Sequence, residues 1–327
     1  MNTVEKLREI TSIPGVSGRE EAVRKYIVSN LPDGVDYRID NIGNLIVEIG
    51  SEGTPILLTA HMDEIGFLIT GVRKDGGLYF RKIGGIPDEI IPGSYVEVIT
   101  KTGVIEGVIG FPPPHLKEKP QEKFIDVGTS NEEETRKLGV KPLDFAIFKK
   151  HFSILNGKFV ATRSLDDRFG CLALLDVLNK VYRKIERKVI FLWTVQEEVG
   201  LKGAKAYASR LGEEVIVYSV DSFACCSPSI TGDVQIDEGP VLRMVDNSSI
   251  ASFEEAEIVR EIAERKGIPL QIGTTGGGTD GSVFWERNMR MVPITLVIKY
   301  LHTQCEYMSL DDYENLVKLL VEILVNR

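Results

Sequence analysis

Apolar and polar positions divide this chain into two textures. Ser17 and Glu20 have the spacing of a capping box and predict a helix whose apolar positions include Val23, Tyr26, Ile27 and Leu31. Runs at 45–49 and 55–60 predict strands, and the second is apolar at nearly every position, as a central strand covered on both faces must be. After residue 158 helices and strands alternate. Leu172, Leu175, Leu178 and Val181 mark a helix over 168–182, followed by a strand at 189–193, a helix at 204–211 and a strand at 215–218. Ser252 caps a further helix, residues 294–298 form a strand, and Ser309 opens the C-terminal helix. This alternation predicts an α/β fold, a mixed and largely parallel sheet sandwiched by helices.

Between residues 69 and 157 the pattern is different. Short β-rich pieces at 78–81, 95–99 and 108–110 are punctuated by glycines and prolines, which predicts a small all-β domain inserted into the α/β one. The main domain then comprises residues 1–68 and 158–327. Within the insertion, the proline-rich and charged stretch 112–120 reads as a loop.

Composition narrows the function classes. Of 327 residues, 43% are hydrophobic and 27% charged, an ordinary globular balance. The 39 basic side chains are outnumbered by 48 acidic ones, and a net charge of −9 argues against a general grip on nucleic acid phosphates. The first ten residues interleave charges with apolar positions, unlike a secretory signal, and no apolar run approaches the roughly 18 residues of a membrane span. A cytoplasmic protein is expected. Cys171, Cys225, Cys226 and Cys305 contain no CxxC pair, and the adjacent Cys225 and Cys226 have an awkward geometry for a mutual disulfide, so all four read as reduced thiols.

Five segments place His, Asp or Glu at the end of a strand or the start of a helix, where sites form in open α/β sheets. His61 and Asp63 follow the strand at 55–60. In extended backbone their side chains share a face, so the carboxylate can hold the imidazole's second nitrogen. Alone, such a histidine is more often a satisfied core or surface residue. Asp166 opens a helix, where an aspartate is also a common cap. Glu197 and Glu198 follow the buried strand at 189–193, and adjacent carboxylates there repel each other unless a cation is near. Asp221 ends another apolar strand and His302 the last one. Together these are the nitrogen and oxygen donors that a pair of metal ions needs.

These segments, in this order and with the β insertion in this position, resemble the dinuclear-metal aminopeptidases called TET (tetrahedral) peptidases, whose members have often been labelled endoglucanases. The resemblance covers essentially the whole chain. It implies a phosphorylase/hydrolase-like sandwich and a metalloprotease that releases amino-terminal residues from peptides through a hydroxide held by two divalent ions, zinc or cobalt. It assigns His61 and Asp221 to one ion, Glu198 and His302 to the other, and Asp166 to both. Glu197 matches the family's general base, Asp63 the carboxylate behind His61, and the loop 276–281 a segment beside the active site. It further implies a homo-oligomer, dimers built through the β insertion and assembled to a dodecamer.

Other readings compete. A glycosidase needs only two carboxylates and leaves His61 and His302 unemployed. A carboxypeptidase or N-acyl amino acid deacylase of the same superfamily places its extra domain after the position of Asp221, whereas here it precedes Asp166. A non-enzymatic descendant would have lost Glu197. The glycines at 276–278 lack the lysine of a phosphate loop. His115 and His151, inside the insertion, read as exposed, and Arg163 and Arg168 as salt-bridge partners.

Overall fold

A computed structural model describes residues 2–111, 113, 115, 122–211 and 214–327. The chain opens with helices α1 (Thr3–Ser12) and α2 (Glu21–Ser29), then strands β1 (Tyr37–Ile39), β2 (Leu45–Ile49) and β3 (Glu52–His61). Next come β4 (Gly66–Val72), β5 (Leu78–Ile83), β6 (Ser94–Thr100), β7 (Gly103–Ile109), α3 (Glu132–Lys137) and β8 (Phe145–Phe148). Strands β9 (Ser153–Leu155) and β10 (Phe159–Thr162) lead to α4 (Leu165–Val181), β11 (Arg187–Thr194), α5 (Lys202–Ala208) and β12 (Ile216–Ala224). The chain finishes with α6 (Pro228–Thr231), β13 (Val241–Val245), α7 (Phe253–Lys266), β14 (Gln271–Thr274), α8 (Gly281–Trp285), β15 (Arg290–Ile298), β16 (Glu306–Ser309) and α9 (Leu310–Asn326).

The large sheet has the order β1-β2-β11-β3-β12-β15-β13-β14, and its central four strands, β11, β3, β12 and β15, are mutually parallel. Both faces of these strands are covered. Ile56, Leu58 and Ala60 of β3 join the larger core under α1, α2, α4, α7 and α9, while Leu57 meets the smaller core made by Ala204 and Tyr207 of α5 and Phe284 of α8. That two-sided burial is the reason β3 and β11 read as nearly continuous apolar runs. Four adjacent strands therefore end on one edge, which positions the site.

Residues 66–148 contribute a second, wholly antiparallel sheet, β5-β4-β8-β6-β7, with its own apolar cluster around Phe67, Val96, Val98 and Phe148. The stretch 112–120 lies outside the described residues except for Pro113 and His115. His115 and His151 are exposed.

Most expected elements are present, and Ser252 and Ser309 cap their helices as the pattern predicts. Two expectations are corrected. Ser17 does not cap α2, whose N-cap is Glu20 without a side-chain cap. The Ser17 hydroxyl instead donates to Asp63 Oδ2 at 2.6 Å, and Glu20 accepts from the backbone of Gly18 and Gln196. The buried acceptor Asp63 outbids the local cap. Cys225 and Cys226 are joined in a disulfide, because the chain turns there with Cys226 at φ 76° and brings the two sulfurs together. Cys171 and Cys305 are free, the first buried and the second exposed. Among the described residues no helix is long and apolar enough to cross a membrane.

Candidate active site

The four parallel strands deliver their residues to one cavity of about 360 Å³, lined by His61, Asp166, Glu197, Glu198, Asp221 and His302 among others. His61 is the last residue of β3, and in register it lies beside Thr194 of β11. Asp166 stands at the head of α4, where it and Asp167 leave helical backbone.

Asp166 is the centre of the arrangement. Its Oδ1 lies 3.2 Å from His61 Nε2 and its Oδ2 3.4 Å from His302 Nε2. His302 Nε2 is also 3.4 Å from Glu198 Oε1, and His61 Nε2 is 4.0 Å from Glu197 Oε2. Ligand atoms of His61, Asp166 and Glu198 all lie within 4.8 Å of one another. Asp221 lines the same cavity, with Oδ1 accepting from Ser222 N at 2.6 Å, and the Ser222 hydroxyl donates to Asp166 Oδ2. All seven sequence-predicted residues thus come together at one cavity or, for Asp63, directly behind it.

Three partners hold the donors from behind, and two of them carry no sequence signal. Asp63 does less for His61 than expected. The nearer partner of His61 Nδ1 is the Asp63 main-chain carbonyl, at 3.2 Å against 3.6 Å for the carboxylate. The Asp63 carboxylate instead accepts from the backbone of Glu197 at 2.9 Å and Glu198 at 3.1 Å, so it orients the turn carrying both glutamates. Glu306, which spacing did not single out, accepts from the backbone of His302 at 2.8 Å and Asp166 at 3.3 Å. Gly85, reached from the antiparallel sheet, offers its carbonyl to His302 Nδ1 at 3.1 Å. That contact fits a proton on Nδ1 and directs Nε2 toward Asp166 and Glu198. The neighbouring Gly84 has φ 78°, and a Cβ there would lie 2.6 Å from the Ile65 side chain, so the approach requires glycine.

The electrostatics fit a cationic occupant. Burial, with the Asp166 charge added, pushes the Asp221 carboxyl up to about 7. Burial also raises Glu197 well above the usual carboxylate range; His61 opposes this, and the charges of Asp221, Glu198 and Asp280 reinforce it. Burial opposes a charged imidazole at His302, yet its contacts with Asp166 and Glu198 carry it up to about 12. Carboxylates crowd each other here, and each imidazole Nε2 faces carboxylate oxygens across a gap that needs positive charge. Two imidazole nitrogens and three carboxylates, those of Asp166, Glu198 and Asp221, with Glu197 beside them, are a donor set for divalent ions.

Arg163 and Arg168 stand aside from this chemistry. Both pair with the buried Glu64, and Arg168 also donates to the carbonyls of Met62, Ile10 and Ile13.

Comparison with known proteins agrees with the geometry. The lysyl aminopeptidase of Pyrococcus furiosus is 29% identical, covering 98% of this chain and 96% of its own length. A dodecameric structure of PhTET1 is 52% identical with a TM-score of 0.93, covering 99% of both chains. The Pyrococcus horikoshii TET1 peptidase, which can assemble into a tetrahedron or a large octahedral shell, is 51% identical with the same TM-score and coverage. None of these favours a glycosidase, deacylase or carboxypeptidase. The model of the M42 glutamyl aminopeptidases matches residues 43–319, and with this fold and donor set the chain belongs to that family of metal-dependent aminopeptidases.

Proposed function

We propose that this protein releases amino-terminal residues from peptides with two divalent ions, zinc or cobalt, of which His61 and Asp221 would hold one, Glu198 and His302 the other, and Asp166 both. The observation that carries this reading is Asp166, with one carboxylate oxygen turned toward each histidine. Such ions supply a water of lowered pKa and polarise the scissile carbonyl. Glu197, whose Oε2 lies 4.0 Å from His61 Nε2 in the cavity, would take a proton from the attacking water and return it to the leaving amine. Asp63 keeps Glu197 and Glu198 in their separate directions through their backbone amides. The free amino terminus of the substrate lies against the carboxylates of the cavity.

Acetylated and free forms of one peptide, each with and without a chelator, test the reading. Only the free peptide without chelator is expected to be cleaved. Equal rates on both forms would point to an endopeptidase or a deacylase, and activity that survives complete metal removal would sink the metal-dependent mechanism.

The same reading makes residues 69–157 an oligomerisation domain. It is supported by the dodecameric PhTET1 relative and by the hairpin β6–β7, where the large apolar side chains of Tyr95, Val104 and Val108 are exposed. Light scattering is expected to give a mass well above 36.4 kDa, with the dodecamer as the full assembly. A monomeric mass at every protein and metal concentration would overturn this.

A further inference from the structure

Two of the four cysteines are neighbours in sequence, and the fold joins them. Cys225 and Cys226 follow β12 directly and form a disulfide, with Cys225 half-buried against Phe223, Val234, Val241 and Val297 and Cys226 exposed at φ 76°. A bridge between adjacent residues closes almost no loop, so it restricts the unfolded chain very little and adds little to global stability. Its effect is local. It fixes a turn in which a residue with a Cβ sits in left-handed backbone, a conformation that non-glycine residues seldom hold unaided.

That turn borders the wall of the active-site cavity, which Ser222, Ala224, Gly276, Gly277 and Gly278 help to line. Segment 222–230 is tied to the glycine loop at three points. The Ser222 and Gly276 carbonyls both accept from Arg243, at 3.2 and 2.9 Å. The Ala224 carbonyl accepts from the Thr275 hydroxyl at 2.9 Å, and the Ile230 carbonyl from the Thr274 hydroxyl at 2.5 Å. Cys225 and Cys226 lie between the second tie and the third, so opening their bond frees the stretch between Ala224 and α6 and loosens its hold on the loop. Asp221 is held independently, because β12 stays paired with β15 as far as Ala224. The other two thiols offer no such device. Cys171 is buried, donating to the His61 carbonyl at 3.0 Å, and Cys305 is a free thiol.

We infer that Cys225 and Cys226 are a redox modification site that controls substrate binding: the closed pair keeps the cavity wall in the arrangement above, and reduction loosens it. The inference rests on the aminopeptidase reading for its kinetic consequence. The co-reactant is a low-molecular-weight disulfide. The thiolate of the exposed Cys226 attacks one sulfur of that disulfide and releases one thiol, and the Cys225 thiolate then attacks Cys226 Sγ in the mixed disulfide and releases the second. Two protein thiols are oxidised, and the external disulfide is reduced to two thiols that take up the two protons the protein gives up. Excess external thiol runs the same steps backwards.

The test treats the full-length, metal-loaded protein with oxidised glutathione or with a phosphine reductant, removes the reagent by gel filtration, and measures kcat, KM and metal content on one free peptide. Denatured samples are expected to titrate two thiols after oxidation and four after reduction. With the binding arrangement of the wall populated at about a tenth to a third after reduction, KM rises about 3- to 10-fold while kcat and metal content hold, and reoxidation restores KM. Hydrogen exchange over 224–231 and 274–278 is expected to be faster in the reduced form, a measurement that needs no substrate. Cys225→Ser combined with Cys226→Ser is expected to behave as the reduced protein under both treatments, and Cys305→Ser to respond as wild type does. Four thiols after oxidation, equal KM and exchange in the two forms, a response that persists in the double variant, or one that follows loss of metal overturns the inference. Equal exchange with peptides still cleaved defeats the redox site alone, whereas a redox-dependent exchange with no cleavage of any free peptide by either form defeats the aminopeptidase reading instead.

Discussion

Replacing Glu197 by Gln is expected to lower kcat by roughly 10²- to 10⁴-fold, the usual worth of a positioned proton acceptor, with metal content unchanged. Glu198→Gln is expected to lower metal content instead, because a neutral amide is a poorer ligand than a carboxylate. The two glutamates are neighbours in sequence, and each amide donates to Asp63, one to either carboxylate oxygen. Their side chains nevertheless diverge. Glu197 faces His61 at 4.0 Å, whereas Glu198 faces His302 at 3.4 Å. Metal analysis beside steady-state kinetics on both variants checks the assignment. A Glu197→Gln protein that loses a metal, beside a Glu198→Gln protein that keeps two, would reverse the roles.

A second large effect is expected in stability, away from the reaction. Glu64 is buried at the start of the antiparallel sheet and is surrounded by cations: Arg163 in direct contact, Arg168 at 3.4 Å and Lys150 at 4.0 Å. Its Oε1 also accepts from Gly15 N at 2.7 Å, and Ser164 donates to Oε2. Glu64→Gln leaves these buried cations without their counter-charge, which costs about 3–5 kcal/mol and lowers the melting temperature by roughly 4–7 °C. The control is Glu132→Gln, which breaks an exposed pair with Arg136 and is expected to cost no more than about 0.5 kcal/mol. Calorimetry at matched protein concentration compares them, and a Glu64 variant as stable as the control would refute the account.

The pH dependence of that contribution has a definite sign. Burial alone would raise the Glu64 carboxyl, but Arg163, Lys150 and Arg168 hold it well below its ordinary 4.5. A depressed folded-state value gives stability that is fully present above the unfolded value and is lost as pH falls toward the folded one. The gap between wild type and Glu64→Gln is therefore expected to be constant near neutrality and to narrow only below about pH 4.5.

The alternation of apolar and polar residues is enough to read off the repeating elements and the chemistry at their ends. Burial on both faces writes an apolar run into β3 and β11, and a buried stripe of Tyr313, Leu316, Leu320 and Ile323 writes a helical period into α9, so these elements are legible from neighbours alone. His61, Glu197, Glu198, Asp221 and His302 stand out for the same reason, as polar residues where an apolar strand stops. How those ends are held emerges when distant segments pack together. Glu306 accepts from Asp166 across 140 positions and Arg163 meets Glu64 across 99, contacts that leave no periodicity in the chain. Gly85 serves His302 through a backbone carbonyl, which every residue possesses. Ser17 has the spacing of a cap and yet turns to Asp63, because a buried carboxylate needs its donors more than an exposed helix end does. Strands β13 and β14 are short and lie at the sheet's margin, and their pattern is correspondingly weak. Arg243 was hidden there. Nothing local distinguishes an arginine on a marginal strand from a solvated one until the sheet folds it over the cavity, where it is buried and donates to the Ser222 and Gly276 carbonyls.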